Sequence, residues 1–559
     1  AAGETPSPEM VAASGQKIGL KPFVAVSCLA AIVIGVVVFA VIAQRNNLLA
    51  RIPFDNPPEV LTGKAREILQ KLGYTDRPAS SASGFEYRLG TINYLVHQVK
   101  GPLGPRLAKG RPPAIAFWFR SSPEILLPRS LNDIPLVTGE DPPEDVPGML
   151  SVTLDPQGRL TRFTARPPES DPSKGPWPVP DWTILFSAAG LDPARFTPTE
   201  PQWAPPVMAD ARAAWAGAYP EAPEIPIRVE AAAFHGKPVN FVQVLTIASG
   251  PRSSPATGGK STGSLVSLIL QLVVLIGSIP FARYNMRLGR GDIQGALRLG
   301  LFVLCVNLST WVIGGTHVAS ASEGDLFLMA AMRSVFNAAS LAFVYISFEP
   351  FVRRKWPQTI VSWSRVLAGG FRDPLVGRDI LLGTTMGVWM ALVMGFSSIA
   401  YEIAGIPAVR VGTDPLTLLG GRYLAGAFLF LIVDVLYKSL GVLFLIFLCR
   451  TLLRKQWLAA GVIVITLSAI YATNAIHPFV GWPINLLFFS LAVFTLMRFG
   501  LLALAVAFFV SILLGQFPIG TDFSVWYSGE VAFTIVAIIA LAVFSFRTAL
   551  ARQTLIKEN

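Results

Sequence analysis

Long apolar runs alternate with short polar breaks through most of this chain. One run lies at 22–43, "PFVAVSCLAAIVIGVVVFAVIA", and nine more lie near 264–282, 294–314, 326–348, 379–401, 422–449, 457–475, 484–497, 500–516 and 530–547. About twenty apolar residues in helical form extend about 30 Å, the thickness of a bilayer's hydrocarbon core. The pattern predicts a polytopic α-helical membrane protein with about ten transmembrane helices. The first run exceeds the core of a cleavable signal and reads as a span.

A different pattern occupies 44–262, which holds 32 of the 44 prolines. That density forbids long helices and favours short strands and turns. One amphipathic helix is expected over 57–73, with Val60, Ala65, Ile68, Leu69 and Leu72 on one stripe. Alternation around Asp155-Pro156-Gln157-Gly158 predicts a hairpin over 149–165, and a second is expected over 227–247 around His235-Gly236. Between them, "WTILFSAAGLDPARF" reads as a short helix ending near Gly190. A helix followed by a hairpin, twice, predicts an inserted α+β domain with a weak internal repeat. The organisation is then a linker (1–21), a first span (22–43), the Pro-rich domain (44–262), a nine-helix bundle (263–548) and a tail (549–559).

Composition agrees: 52% of the residues are hydrophobic and 14% charged. The net charge of +11 raises the question of nucleic acid. Residues 44–262 nearly balance, with 23 Lys/Arg against 21 Asp/Glu, whereas 263–559 hold 21 against 12. The excess bases cluster in short loops between apolar runs, a membrane-orientation signature that gives no nucleic-acid face. They follow alternate runs: Arg283, Arg287 and Arg290; then Arg353, Arg354, Lys355, Arg365, Arg372 and Arg378; then Arg450, Arg454 and Lys455; then Arg498; then Arg547, Arg552 and Lys557. The intervening loops 315–325, 477–483 and 515–530 have none, and 403–421 has only Arg410. Short basic loops stay cytoplasmic. The expectation is a multi-pass membrane protein with both termini cytoplasmic and 44–262 extracytoplasmic. The largest basic loop carries Ile360, Trp363, Val366 and Leu367 on one helical face, so part of it is expected to lie along the membrane surface, with Arg353, Arg354 and Lys355 beside it.

Catalytic signatures are sparse. The sequence has no HExxH, no Cys-x-x-Cys and no G-x-S-x-G. "GRGDIQG" places its last glycine one residue late for a dinucleotide loop, and "ATGGKST" lacks the leading glycine of a phosphate loop. Cys28, Cys305 and Cys449 all lie in or at the end of apolar runs, so the polar domain has no internal disulfide. Four histidines, each remote from any cysteine, give no zinc spacing. His317 and His477 read as interfacial, with a shared metal or pigment site as the alternative. Ionisable residues inside apolar runs say more, because charge in lipid is costly. Asp434 and Lys438, four apart, can neutralise each other, and Arg333 could reach them across the bundle. They form a candidate intramembrane polar cluster, read as a structural ion pair or as a polar switch. Asn307, Asn337, Asn474 and Asn485 are expected to bond between helices.

Three stretches carry a resemblance: "SPEMVAASG", "FEPFVRRKWPQTIVSWSRVLAGGFRDPLVGRDILLG" (348–383) and "LMRFGLLALAVAFFV…FPIGTDFSVWYSG" (496–529). With "ARFTPTEPQWAPPVMADARAAWAGAYP" (194–220), they resemble the membrane-spanning C-terminal half of bacterial eukaryotic-like serine/threonine protein kinases, of the type abundant in acidobacteria. The resemblance implies a cytoplasmic kinase domain ahead of the linker. This chain has no Gly-rich loop with a V-A-x-K strand, no H-R-D and no D-F-G, so no kinase site residue carries over. It implies no cofactor in this chain, with ATP and Mg only if a kinase domain precedes it. The expected function is a non-catalytic sensor or regulatory portion of a kinase-like receptor. Its expected partners are the lipid bilayer, a kinase domain in cis, and membrane proteins or further copies of itself. An accessory subunit of a larger membrane complex and a transporter are the alternatives.

Overall fold

The computed structural model describes residues 19–97, 103–130, 134–170, 175–245, 262–407, 409–473 and 477–550. Residues 551–559 of the expected tail, most of the linker and the 246–261 connection lie outside the described residues.

The first helix among the described residues is α1 (Pro22–Asn46), followed at once by the single turn α2 (Leu48–Arg51). The polar domain then runs α3 (Pro58–Lys71), β1 (Ser80–Tyr87), α4 (Leu89–His97), α5 (Leu103–Ala108), β2 (Ile115–Ser122), β3 (Leu150–Leu154), β4 (Leu160–Ala165), α6 (Thr183–Ala188), β5 (Thr197–Thr199), β6 (Ala211–Tyr219), β7 (Ala222–Phe234) and β8 (Lys237–Leu245). All eight strands form one antiparallel sheet in the order β1-β2-β3-β4-β8-β7-β6-β5. Each half is a four-stranded meander preceded by a helix, α3 or α6, and the halves meet where β4 pairs β8. The expected repeat is thus larger than a helix and a hairpin.

Both expected hairpins form, turning at Gly158 (φ +87°) and at His235-Gly236 (φ +54° and +78°). On α3 the buried stripe is Leu61, Ala65, Ile68, Leu69 and Leu72, while Val60 is exposed, a shift of one position from the expected face. Strands β1, β2, β5 and β6 were not anticipated. In β2 all eight residues are buried, so no polar alternation marks it as a strand.

The second part is helical: α7 (Thr262–Arg287), α8 (Ile293–Gly314), α9 (Ser322–Lys355), α10 (Pro357–Leu367), α11 (Pro374–Gly395), α12 (Ser397–Ile403), α13 (Gly421–Leu453), α14 (Gln456–Ala472), α15 (Pro478–Phe499), α16 (Leu501–Gln516) and α17 (Ser528–Ala549). Among the described residues, eight helical segments are long and apolar enough to cross a membrane: α1, Leu268–Arg287 of α7, α8, α9, Pro374–Ile403 (α11 with α12), α13, α15 and α17. The apolar helices α14 and α16 have 17 and 16 residues, about 25 Å each, slightly short of a bilayer core. Large apolar side chains such as Ile34, Leu297, Phe336 and Val536 are exposed along these helices, as in a bundle whose surface meets lipid.

Close helix contacts rest on glycine. Gly383 and Gly387, four apart on α11, face α16, where an added Cβ would fall 2.5 Å from the Ala503 carbonyl oxygen and 2.6 Å from that of Ala507. Gly314 of α8 and Gly426 of α13 also oppose each other, an added Cβ falling 3.2 or 2.9 Å from the facing Cα. Small residues let backbones approach where the hydrophobic effect does not hold helices together.

Candidate functional site

Three polar regions of the bundle bear on function. The first joins it to the sheet domain. At the end of α1, Leu48 N–H donates to the Arg410 carbonyl (3.0 Å) and Arg410 N–H donates to the Asn46 carbonyl (3.2 Å). Asn47 caps α2 and donates through Nδ2 to Thr413 Oγ1 (3.0 Å), and the Tyr87 hydroxyl of β1 donates to the Thr413 carbonyl (2.7 Å). Trp526 Nε1 donates to the Phe54 carbonyl (3.0 Å), within an aromatic cluster of Phe54, Phe85, Trp526 and Tyr527. Further round the rim, Thr316 N–H donates to the Pro135 carbonyl and Val137 N–H to Thr316 Oγ1. The sheet domain's own core continues onto Val409, Leu418, Tyr527 and Val531. Its attachment therefore uses the end of α1 and the connections before α9, α13 and α17. The crevice in this joint, lined by Asn47, Leu49, Thr413, Ile519, Tyr527 and Val531, has room for about one water, too little for an organic ligand.

Burial has electrostatic consequences here. The Tyr87 phenol is pushed well up, and that of Tyr527 to about 12. Burial also raises the Asp414 carboxyl, which accepts from the Leu416 N–H. Burial pushes Arg410 down to about 10, yet leaves it charged. Its guanidinium lies 4.9 Å over the Phe39 ring, beside Gly395 and Gly515 at the carbonyl ends of α11 and α16. The ring face holds the cation, and its Nη1 is buried with no hydrogen-bond partner among the described residues.

The second region is the opposite, basic end. Its helices are tied by Asn285 Nδ2 donating to the Ile346 and Ser347 carbonyls, and by Leu20 N–H donating to the Ala549 carbonyl. The expectation that Arg353, Arg354, Lys355 and Trp363 form one interfacial surface needs correction. α9 continues to Lys355, so Arg353 is buried. It pairs with buried Glu349 (3.3 Å) and donates to the Arg290 carbonyl (2.6 Å). Trp363 and Ile360 are buried in the bundle core; the apolar face of α10 rests on protein, not on lipid. Arg354 and Lys355 are exposed. Arg365 of α10 pairs with Asp373 at the start of α11 (2.7 Å) and ties the two helices, while Arg378 pairs with its neighbour Asp379 within α11 (2.9 Å).

The third region is the expected intramembrane cluster. Lys438 donates to Asp434 on α13, and both side chains are half-buried. The Tyr437 hydroxyl donates to the Asn337 carbonyl of α9 (2.6 Å). Arg333 lies one turn before Asn337 and Asp434 nearly one turn before Tyr437, so this bond sets Arg333 and Asp434 at one level on neighbouring helices. Asn485 bonds to Gly481 within its own helix, contrary to expectation, and Asn474 lies outside the described residues. His317 contacts Glu323 (2.7 Å) and the Val312 carbonyl, and His477 uses its backbone carbonyl to accept from Tyr401. Among the described residues no group of three His, Cys, Asp or Glu could hold a metal ion.

Sequence reasoning missed the joint. Its residues, Asn47, Tyr87, Thr413 and Trp526, span most of the chain, and only folding brings them together. No protein family, curated protein or solved structure matches the chain.

Proposed function

We propose that this chain is a membrane-embedded sensor or regulatory module. In this reading ten helices cross the bacterial inner membrane, with both termini cytoplasmic and the sheet domain outside. The chain is the non-catalytic membrane half of a serine/threonine kinase-like receptor. ATP and Mg enter only through a kinase domain in cis.

The observation that carries the reading is the fixing of α1 at both ends. Its sheet-domain end is bonded to the 410–413 segment, and the Leu20 backbone, just ahead of it, is bonded to the end of α17. A load on the sheet domain therefore reaches whatever lies ahead of residue 20. Signalling requires only that a ligand of the sheet domain prefer one of two bundle arrangements.

Two measurements test it. In a cysteine-free background, an impermeant thiol reagent on intact cells should label Ser81→Cys and spare Arg354→Cys; the reverse result refutes the orientation. The native polypeptide should exceed 60.2 kDa and autophosphorylate in membranes, and Trp526→Ala should alter that activity. A native chain of 60.2 kDa that co-purifies with unrelated membrane subunits would establish the accessory-subunit alternative instead.

A further inference from the structure

At the basic end, one corner carries cations that have no anionic partner among the described residues. Trp356 Nε1 donates to Gln456 Oε1 (3.1 Å), joining the turn after α9 to the turn before α14. Arg354 and Lys355 immediately precede Trp356, and Arg454 and Lys455 immediately precede Gln456, so this bond brings two basic pairs to one corner. Arg450 completes the group, its guanidinium 4.1 Å over the Trp356 ring.

Other acids at this end are engaged. Glu349 pairs with Arg353, Asp373 with Arg365, and Asp379 with Arg378, while Asp292 caps α8 and accepts from the Tyr345 hydroxyl. None of the five corner cations has an ion pair among the described residues. The indole takes the flat face of Arg450, and Nη1 of that guanidinium is buried with no hydrogen-bond partner. Five unneutralised cations so close repel one another. The corner is also the edge of the apolar surface: Leu452 is 74% exposed and Trp457 69% exposed.

We infer that this corner binds the headgroup of a lipid bearing two phosphates, one phosphate for each basic pair, with Leu452 and Trp457 against its acyl chains. Basic pockets between membrane helices, flanked by interfacial aromatic residues, suit such headgroups. The guanidinium of Arg450, held flat by the indole, is preorganised for a phosphate oxygen. The inference rests on the membrane reading of the bundle, but not on its orientation or on an attached kinase.

The test uses the full chain in phosphatidylcholine nanodiscs doped with diphosphatidylglycerol, or with phosphatidylglycerol at equal total charge. Lipid retained after extraction is counted by native mass spectrometry. The expected result is one two-phosphate lipid per chain, held about tenfold better than the charge-matched lipid, with the preference lost in Arg454→Gln/Lys455→Gln and kept in Arg283→Gln/Arg287→Gln. Equal retention of both lipids, or an unchanged preference in the first variant, overturns the site. Inorganic pyrophosphate in lipid-free detergent separates the sources: thermal stabilisation by it equal to that by the lipid would make this a soluble-phosphate site. A chain that fails to enter nanodiscs refutes the membrane reading itself. Entry without selectivity refutes only the lipid site.

Discussion

The two ends of the helical bundle are held by different physics. At the sheet-domain end, neutral groups dominate: a parallel backbone bridge at Asn47 and Arg410, an indole and a phenol donating to carbonyls, and four packed aromatic rings. At the basic end, arginines both close the structure and face outward. Arg353, Arg365 and Arg378 are consumed by carboxylates within the protein, while Arg354, Lys355, Arg454 and Lys455 are exposed. The difference teaches that a basic loop is not one functional surface. A cation that finds an internal acid becomes architecture, and only the remainder is available to a lipid headgroup.

The largest expected effect breaks the basic end. Arg353→Met leaves Glu349 buried without its partner, and removing one member of a buried pair costs about 3–5 kcal/mol. Glu349→Gln/Arg353→Met should recover much of the loss, since neither charge then remains. Thermal unfolding in detergent reads both, and a single variant as stable as the parent would show that the pair contributes nothing. Next is the sheet-domain end. Trp526→Ala removes the bond to Phe54 and the centre of the aromatic cluster, at a cost of about 3 kcal/mol. Its signature should be local: faster proteolysis within 44–262 while the helical bundle stays folded.

How much of this was legible follows from the range of each signal. Apolar runs and turn residues are local, so the spans, the 149–165 hairpin and the His235-Gly236 turn stand in the sequence. The short helices α14 and α16 were legible as the apolar runs 457–475 and 500–516, close to their observed bounds. Strand β2 hid because burial on both faces erases alternation. The Asp434–Lys438 pair was readable from four-residue spacing within one helix. The burial of Arg353 and Trp363 was not, because a sequence does not reveal whether an amphipathic face meets lipid or protein. The joint depends on residues such as Asn47 and Thr413, 366 positions apart, which no local pattern couples.

A smaller effect sharpens the account of the joint. Asn47→Ala loses both the cap on Leu49 and the bond to Thr413, at a cost of about 1–2 kcal/mol, while Asn47→Asp keeps the cap and must reverse the second bond, the Thr413 hydroxyl donating to a half-desolvated carboxylate. Stability should therefore fall in the order Asn, Asp, Ala when unfolding of the sheet domain is followed by intrinsic fluorescence. Equal loss in both variants would place the whole effect in the bond to Thr413.

The smallest expected effect has the opposite sign. Asp414 caps Leu416 from a half-buried position near Tyr87, and desolvation raises its carboxyl above the usual 3.8. A carboxyl with a raised folded value binds its proton more tightly in the folded state. Its contribution is thus most favourable below the unfolded value and is eroded as pH climbs through the folded one. Asp414→Asn keeps an oxygen for the Leu416 N–H and removes the charge. The variant should be slightly more stable than the parent at neutral pH and should lose the parent's decline across that window. Glu349 and Asp373 at the basic end should not reproduce this gain, because each lies against a buried arginine that the neutral variant would strand. If Asp414→Asn lowers stability at every pH, the carboxylate has a favourable partner in the joint, and the picture of a neutral sheet-domain end fails at that residue.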